Sequence, residues 1–159
     1  MVIKAVCLDI YGTVLATDDH DQNFPPRQGL REFFDICDKR RIRVIATSDE
    51  SIEDYKRNLE ICFNLHDRFG LTIDRFFDFY RLGEAGPKDY SLVARSFGID
   101  CSEILVIGDG PKDFFGARKH GCPLIICPEY TIEGGREFDF SKIPFDEINM
   151  RETKIEQSI

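Results

Sequence analysis

Five polar residues stand at places in the chain where chemistry could be done. Asp9 follows the apolar run of VCLDIYGTVL (residues 6–15), with Gly12 and Thr13 close behind; Thr47 follows RVIA, with Ser48 next to it; Lys88 lies in GEAGPKDY; Asp109 and Asp113 lie in GDGPKD, among Gly108, Gly110 and Pro111. Taken singly, such an Asp is most often a turn residue, and such a Thr or Ser a helix cap. Taken together they describe a charged centre. Three carboxylates within about 4–6 Å repel by roughly 1–4 kcal/mol per pair, so one takes up a proton unless a cation relieves the repulsion. Oxygen-only ligands with room for water favour magnesium over zinc. Lys88 adds a positive charge, and Thr47 with the amides of Tyr11 and Gly12 can donate to anionic oxygens. The set reads as a seat for Mg2+ and a phosphoryl group, with Asp9 as nucleophile and Gly12, Thr47, Ser48 and Lys88 as candidate phosphate contacts.

The elements that must bring these residues together are legible from pattern. Val2–Leu8, Arg43–Ala46, Ile104–Ile107 and Leu124–Ile126 are short apolar runs bounded by turn residues, as buried parallel strands are. Ile73–Leu82 is rich in aromatic residues and reads as a further strand, with helix as the alternative. Leu30, Phe33, Phe34 and Cys37 predict an amphipathic helix over Gly29 to about Lys39. Ser51 and Asp54 resemble a capping box before Ile52, Tyr55, Leu59, Cys62 and Phe63, which follow helical spacing up to Gly70. A third helix follows Lys88 and ends at Gly98, and a fourth ends at Gly121. Strands alternating with helices predict an α/β fold: a doubly wound, Rossmann-like parallel sheet of five strands with helices on both faces. In such a sheet the carboxyl ends of the strands share one edge, where ligands bind. Asp9, Thr47, Lys88, Asp109 and Asp113 would meet there.

The totals narrow the function classes. At 159 residues the chain suits a single domain over 1–159, with a core of about 1–127 and an aperiodic extension, 128–159, ending in a polar tail. The net charge of −8 argues against general nucleic-acid or anionic-membrane binding. No segment approaches the run of about 18 apolar residues that spans a bilayer, and the N-terminus lacks the features of a signal peptide. Cys7, Cys37, Cys62, Cys101, Cys122 and Cys127 form no CxxC pair; they read as reduced, mostly buried thiols of a cytoplasmic protein. His20 among Asp18, Asp19 and Asp21 reads as a solvated acidic loop, since the calcium-loop framework is missing. His66 reads as a helix-face residue and His120 as a last-turn residue suited to the helix dipole. Fourteen Phe residues could feed an oligomer interface, though core packing accounts for most of them.

The order DIYGT, a strand-ending Thr, Lys and then GDGPKD resembles the haloacid dehalogenase-like (HAD) hydrolase superfamily. VIGDGPKDFFGARKHGC is especially similar to that family's fourth motif and the helix after it, and the resemblance extends over about Val2 to Ile126. It implies a five-stranded Rossmann-like sheet and a phosphatase forming a phospho-aspartyl intermediate on Asp9, with Thr47 and Lys88 on the phosphate. It also implies magnesium held by Asp9, Asp109 and the Tyr11 carbonyl, with Asp113 direct or through water. The substrate would be a phosphorylated small molecule or a bulkier phosphorylated partner. Between Leu15 and Arg43, and between Thr47 and Lys88, there is little room for a cap. The site should therefore lie open unless a bulky substrate, the Asp18–Pro26 loop or a neighbouring subunit covers it.

Tyr11 departs from the family pattern. Phosphatases of the family usually carry a second Asp there as general acid and base, and a phenol near pKa 10 makes a poor base. Two alternatives follow: a catalytically weak or non-catalytic phosphate- and metal-binding protein, and a 2-haloacid dehalogenase, in which Tyr is typical at that position. The dehalogenases carry a sizeable helical cap and need no metal, so the short insertions and GDGPKD fit them less well. Response-regulator receiver domains also combine Asp, Thr and Lys. They place the acid pair after the first strand, whereas here it follows the fourth.

Overall fold

The computed structural model describes residues 2–66 and 70–150. Five strands form one parallel sheet: β1 (Ala5–Asp9), β2 (Arg43–Ser48), β3 (Asp78–Arg81), β4 (Ile104–Gly108) and β5 (Leu124–Ile126), in the order β3-β2-β1-β4-β5. The chain builds outward from β1 through β2 to β3, then returns to the other side for β4 and β5. The direction of winding therefore reverses beside β1, and the crevice at such a reversal opens at the carboxyl ends of the strands.

Alternation along the central strands separates two cores. Val6, Leu8, Val44, Ala46, Leu105 and Ile107 face one side and pack under α1 (Leu30–Lys39) and α2 (Ile52–His66). Ala5, Cys7, Ile45, Ile104 and Val106 face the other side, under α3 (Ser91–Phe97) and α4 (Pro111–His120). Period 2 in a strand buried on both faces requires apolar residues at every position, which is why these strands read as continuous apolar runs. All four helices fall where periodicity placed them, α1 one residue later than expected.

The third strand is shorter than the aromatic run suggests. Ile73–Arg75 forms a 3-10 turn, and Phe76 then drops into the core between Phe34 and Phe63. Pairing begins only when the Phe77 amide reaches the Val44 carbonyl at 2.8 Å. The stretch after β5, which shows no period, is a covering layer on α1. Phe140 and Phe145 lie 5.4 and 6.3 Å from Phe33 by ring centroid, and residues 145–150 are helical. Gly29 makes that approach possible. Its φ of +81° turns the chain into α1, and a Cβ there would run into Asp139 and crowd the Ser141 and Phe140 amides. The expected polar tail over 151–159 and the last residues before Gly70 lie outside the described residues.

No helix among the described residues is long and apolar enough to cross a membrane. The six cysteines are free, five of them buried and Cys101 half-buried.

Candidate active site at the carboxyl edge of the sheet

Asp9 is the last residue of β1 and stands in register with Thr47 of β2, so the two backbones end side by side. Lys88 reaches them from the loop between β3 and α3. Its Nζ lies 2.9 Å from Asp9 Oδ1, 2.6 Å from Asp113 Oδ1 and 3.1 Å from the Thr47 carbonyl, with Thr47 Oγ1 at 3.5 Å. The ammonium is 2% exposed. Helix α4 seals it: the Lys88 amide donates to the Lys112 carbonyl at 3.1 Å, and a Cβ at Gly116 would strike the Lys88 backbone. Burial alone would lower the Lys88 pKa, but the Asp9 and Asp113 carboxylates outweigh it and hold the ammonium above its usual range.

Asp9, Asp109 and Asp113 each offer a carboxylate oxygen, all within 4.8 Å of one another. The Lys88 ammonium pairs with two of the three, Asp9 and Asp113. Burial pushes the Asp9 carboxyl up to about 7 against the opposing pull of Lys88, with Asp109 adding to the rise. Asp113 is raised as well, first by burial and then by Asp9. Thr13 exposes the shortfall. Its hydroxyl lies 2.9 Å from Asp9 Oδ2 and 3.1 Å from Asp109 Oδ1, yet it has one hydrogen to give. One hydroxyl proton serves two carboxylates poorly, which favours a cation at the cluster.

Gly12 allows Asp109 this close, because a Cβ at Gly12, where φ is +81°, would collide with the Asp109 carboxylate and lie 2.8 Å from Thr17 Oγ1. Its amide, expected to face an anion, instead donates to the Leu15 carbonyl at 2.7 Å and closes the loop. Ser48 is turned to a local task too, its hydroxyl accepting from the Glu50 amide at 3.2 Å. The Tyr11 side chain leans on α2, where Asn58 Nδ2 donates to its hydroxyl at 2.7 Å. Burial raises the Tyr11 pKa further, with Asn58 opposing.

Three neighbours of the site were not among the residues singled out from sequence. Thr13 is one, signalled only by its place four residues after Asp9. Tyr90 is another, its hydroxyl donating to Asp113 Oδ1 at 3.4 Å in the α3 side of the core. Arg27 is the third and is 1% exposed. Its Nη2 donates to the carbonyls of Pro128 and Gly135 at 2.6 and 2.5 Å, and its Nη1 to that of Gly12 at 3.4 Å. Tyr130 and Phe138 cover the guanidinium with ring faces at 5.3 and 4.8 Å. The Tyr130 amide also donates to the Gly12 carbonyl at 2.7 Å, so the segment after β5 braces the loop that follows Asp9.

A family model described as haloacid dehalogenase-like hydrolase matches residues 19–121. The chain belongs to the haloacid dehalogenase-like hydrolases. No curated protein matches its sequence significantly. Among solved structures, a putative beta-phosphoglucomutase from Thermotoga maritima is 12% identical with a TM-score of 0.67, over 96% of this chain and 100% of that one. A variant of CbbY from Rhodobacter sphaeroides, in complex with xylulose-(1,5)bisphosphate, is 11% identical with a TM-score of 0.65, over 90% and 97%. The N-terminal part of BF1531 from Bacteroides fragilis, containing a phosphatase domain complexed with Mg, is 16% identical with a TM-score of 0.60, over 94% of this chain and 39% of that one. At these identities the likeness is one of fold.

In this HAD-like hydrolase the acid cluster suits a hard dication. The donors are all oxygen, they converge from β1, from the turn after β4 and from α4, and their repulsion is only partly met by Lys88. Asp109 remains half-buried, which leaves one side of the cluster open to solvent. The acidic loop has a structural role: Asp19 is buried, and its carboxylate accepts from the Asn23 and Phe24 amides at 3.1 and 2.7 Å. His66 ends α2 beside the Gln22 carbonyl at 3.1 Å, and His120 ends α4 beside Asp89 at 3.1 Å, so neither joins the site.

Proposed function

We propose that this HAD-like hydrolase is a magnesium-dependent phosphomonoesterase acting through a phospho-aspartyl intermediate on Asp9. The observation that carries the reading is the convergence of Asp9, Asp109 and Asp113 within 4.8 Å, with a buried lysine paired to Asp9 and Asp113. Magnesium, held by Asp9, Asp109, Asp113 and the Tyr11 carbonyl, would supply charge neutralisation for the acids and for the incoming phosphate.

This chain's residues divide the remaining work. An Asp9 carboxylate oxygen attacks phosphorus and forms the P–O bond of an acyl phosphate, while the bond to the leaving oxygen breaks and that oxygen departs with the electron pair. Water then attacks phosphorus, the acyl phosphate P–O bond breaks with its electron pair returning to the Asp9 carboxylate, and the water's proton leaves with the released phosphate or to solvent. Lys88 and Thr47 meet charge growing on the phosphoryl oxygens, and Thr13 orients the nucleophile through Oδ2. The short segments around the site suit a phosphorylated small molecule, or a larger partner that covers the cleft itself.

The Tyr11–Asn58 hydrogen bond favours a second reading, in which the chain binds phosphate and metal but turns over slowly. The phenol is held toward α2, and no carboxylate occupies the position two residues after the nucleophile. General acid–base catalysis typically contributes about 10²- to 10⁴-fold.

The test is phosphate release from p-nitrophenyl phosphate. The phosphatase reading expects release that needs magnesium, stops with a chelator and is lost in Asp9→Asn. The binding reading expects a magnesium-dependent thermal shift without turnover. Release that survives both the chelator and Asp9→Asn overturns the first reading, and chloride release from a 2-haloacid overturns both.

A further inference from the structure

The opposite edge of the sheet carries a second cluster, independent of the Asp9 centre. Register places Arg43 beside Ala5 where the strands begin and Thr47 beside Asp9 where they end, a separation of about 13 Å along the strand. Two cavities of about 380 and 210 Å3 open at this amino edge, and Arg41 and Arg43 line both. Other cations nearby are committed to acids. Arg75 pairs with Asp35 and Asp38 at 2.8 and 3.2 Å, and Lys4 with Glu103 at 2.7 Å. Asp74, which also lines the larger cavity, accepts from the Thr72 hydroxyl.

Arg41 and Arg43 are different. No acid or carbonyl among the described residues accepts from either guanidinium. Arg43 lies instead over the Phe77 ring at 4.6 Å and the Phe97 ring at 5.6 Å, contacts that do not use its N–H groups. Phe77 is 56% exposed and adds an apolar wall. Arg41 sits at φ +58° just after α1, where its amide and that of Ile42 return to the Asp38 and Cys37 carbonyls. Glycine is the usual residue at such a helix end, and a non-glycine residue there costs on the order of 1 kcal/mol. A chain of net charge −8 thus keeps two arginines with no direct acid partner at one notch, whose larger cavity Asp38 and Asp74 also line, and one of the two is in an unfavourable backbone conformation.

We propose that this notch is a binding site for a phosphate-bearing small molecule, distinct from the Asp9 centre. Two unpaired guanidinium groups match the two charges of a phosphate monoester, and each can take a pair of its oxygens. Phe77 then meets the body of the ligand.

The experiment is a titration of the full chain with phenylphosphonate, without magnesium and at constant ionic strength, followed by amide chemical shifts. The proposal expects saturable shifts at residues 41–44, 77 and 97–99. Arg41→Gly and Arg43→Ala should each weaken binding about ten- to a hundredfold, as loss of a charge-assisted pair does. Arg41→Gly should do so with an unchanged or higher Tm, because it relieves the backbone. Shifts confined to residues around Asp9, Thr47, Lys88 and Asp109 overturn the proposal. So does an unchanged affinity in Arg41→Gly, or an equal response to chloride at matched ionic strength.

Discussion

Asp113 Oδ1 lies 2.6 Å from Lys88 Nζ, nearer than the 2.9 Å that separates the same ammonium from Asp9 Oδ1. The lysine is therefore anchored from α4 as well as from β1, and both acids depend on it for their charge. Lys88→Met would leave three carboxylates without a cation, and breaking a buried pair from one side costs about 3–5 kcal/mol. The loss should depend on pH. Asp9 binds its proton more tightly in the folded protein, its pKa rising from 3.8 to about 7, so ionising it opposes folding and stability falls as pH rises through that window. Urea unfolding of Lys88→Met should show a large loss at pH 8 and a smaller one at pH 5, where Asp9 takes up its proton. Equal losses at the two pH values would contradict the electrostatic account.

Magnesium should reverse that trend. A dication at the cluster favours the ionised acids, so its binding releases protons below about pH 7. The thermal shift produced by magnesium should be larger at pH 8 than at pH 5, and Asp109→Asn should reduce it. A shift independent of pH and of Asp109 would place the ion elsewhere.

Gly29 tests the covering layer. Gly29→Ala forces a Cβ into Asp139 and against the Ser141 amide at a positive φ, and overpacking of this kind typically costs about 1–3 kcal/mol. Urea unfolding should report that loss, and protease cleavage after residue 128 should quicken. An unchanged midpoint would show that the segment contributes little.

Tyr11→Asp tests the departure from the family pattern. It places a carboxyl two residues after Asp9 and frees Asn58, and release from p-nitrophenyl phosphate should rise by about tenfold or more. No gain would show that another group already moves the proton.

The sheet, its order of elements and the four helices were legible because buried parallel strands are continuous apolar runs and each helix has a one-sided apolar stripe. The third strand was over-extended, since Ile73–Leu82 is aromatic throughout while Phe76 serves the core rather than the ladder. The segment after Cys127 was illegible because Phe140 and Phe145 act as single anchors with no repeat between them. At the site, Asp9, Thr47, Lys88, Asp109 and Asp113 stood out because each breaks or closely follows an apolar or glycine-rich stretch. Thr13 and Tyr90 did not, because a hydroxyl in a loop or helix looks the same whether it bonds water or a carboxylate. Arg27 carries no distinguishing pattern in the sequence, and only the ring faces and carbonyls around it show its place. The commitment of the Gly12 amide to Leu15 depends on loop closure, which spacing does not encode.

The central claim is that Asp9 itself becomes phosphorylated. Protein incubated with magnesium and a labelled aryl phosphate should be quenched in acid during turnover, digested and mapped by mass. The account predicts a phosphoryl group on the peptide containing Asp9, alkali-labile as an acyl phosphate is and absent from Asp9→Asn. Turnover with no label on that peptide, or label that persists in Asp9→Asn, would contradict it.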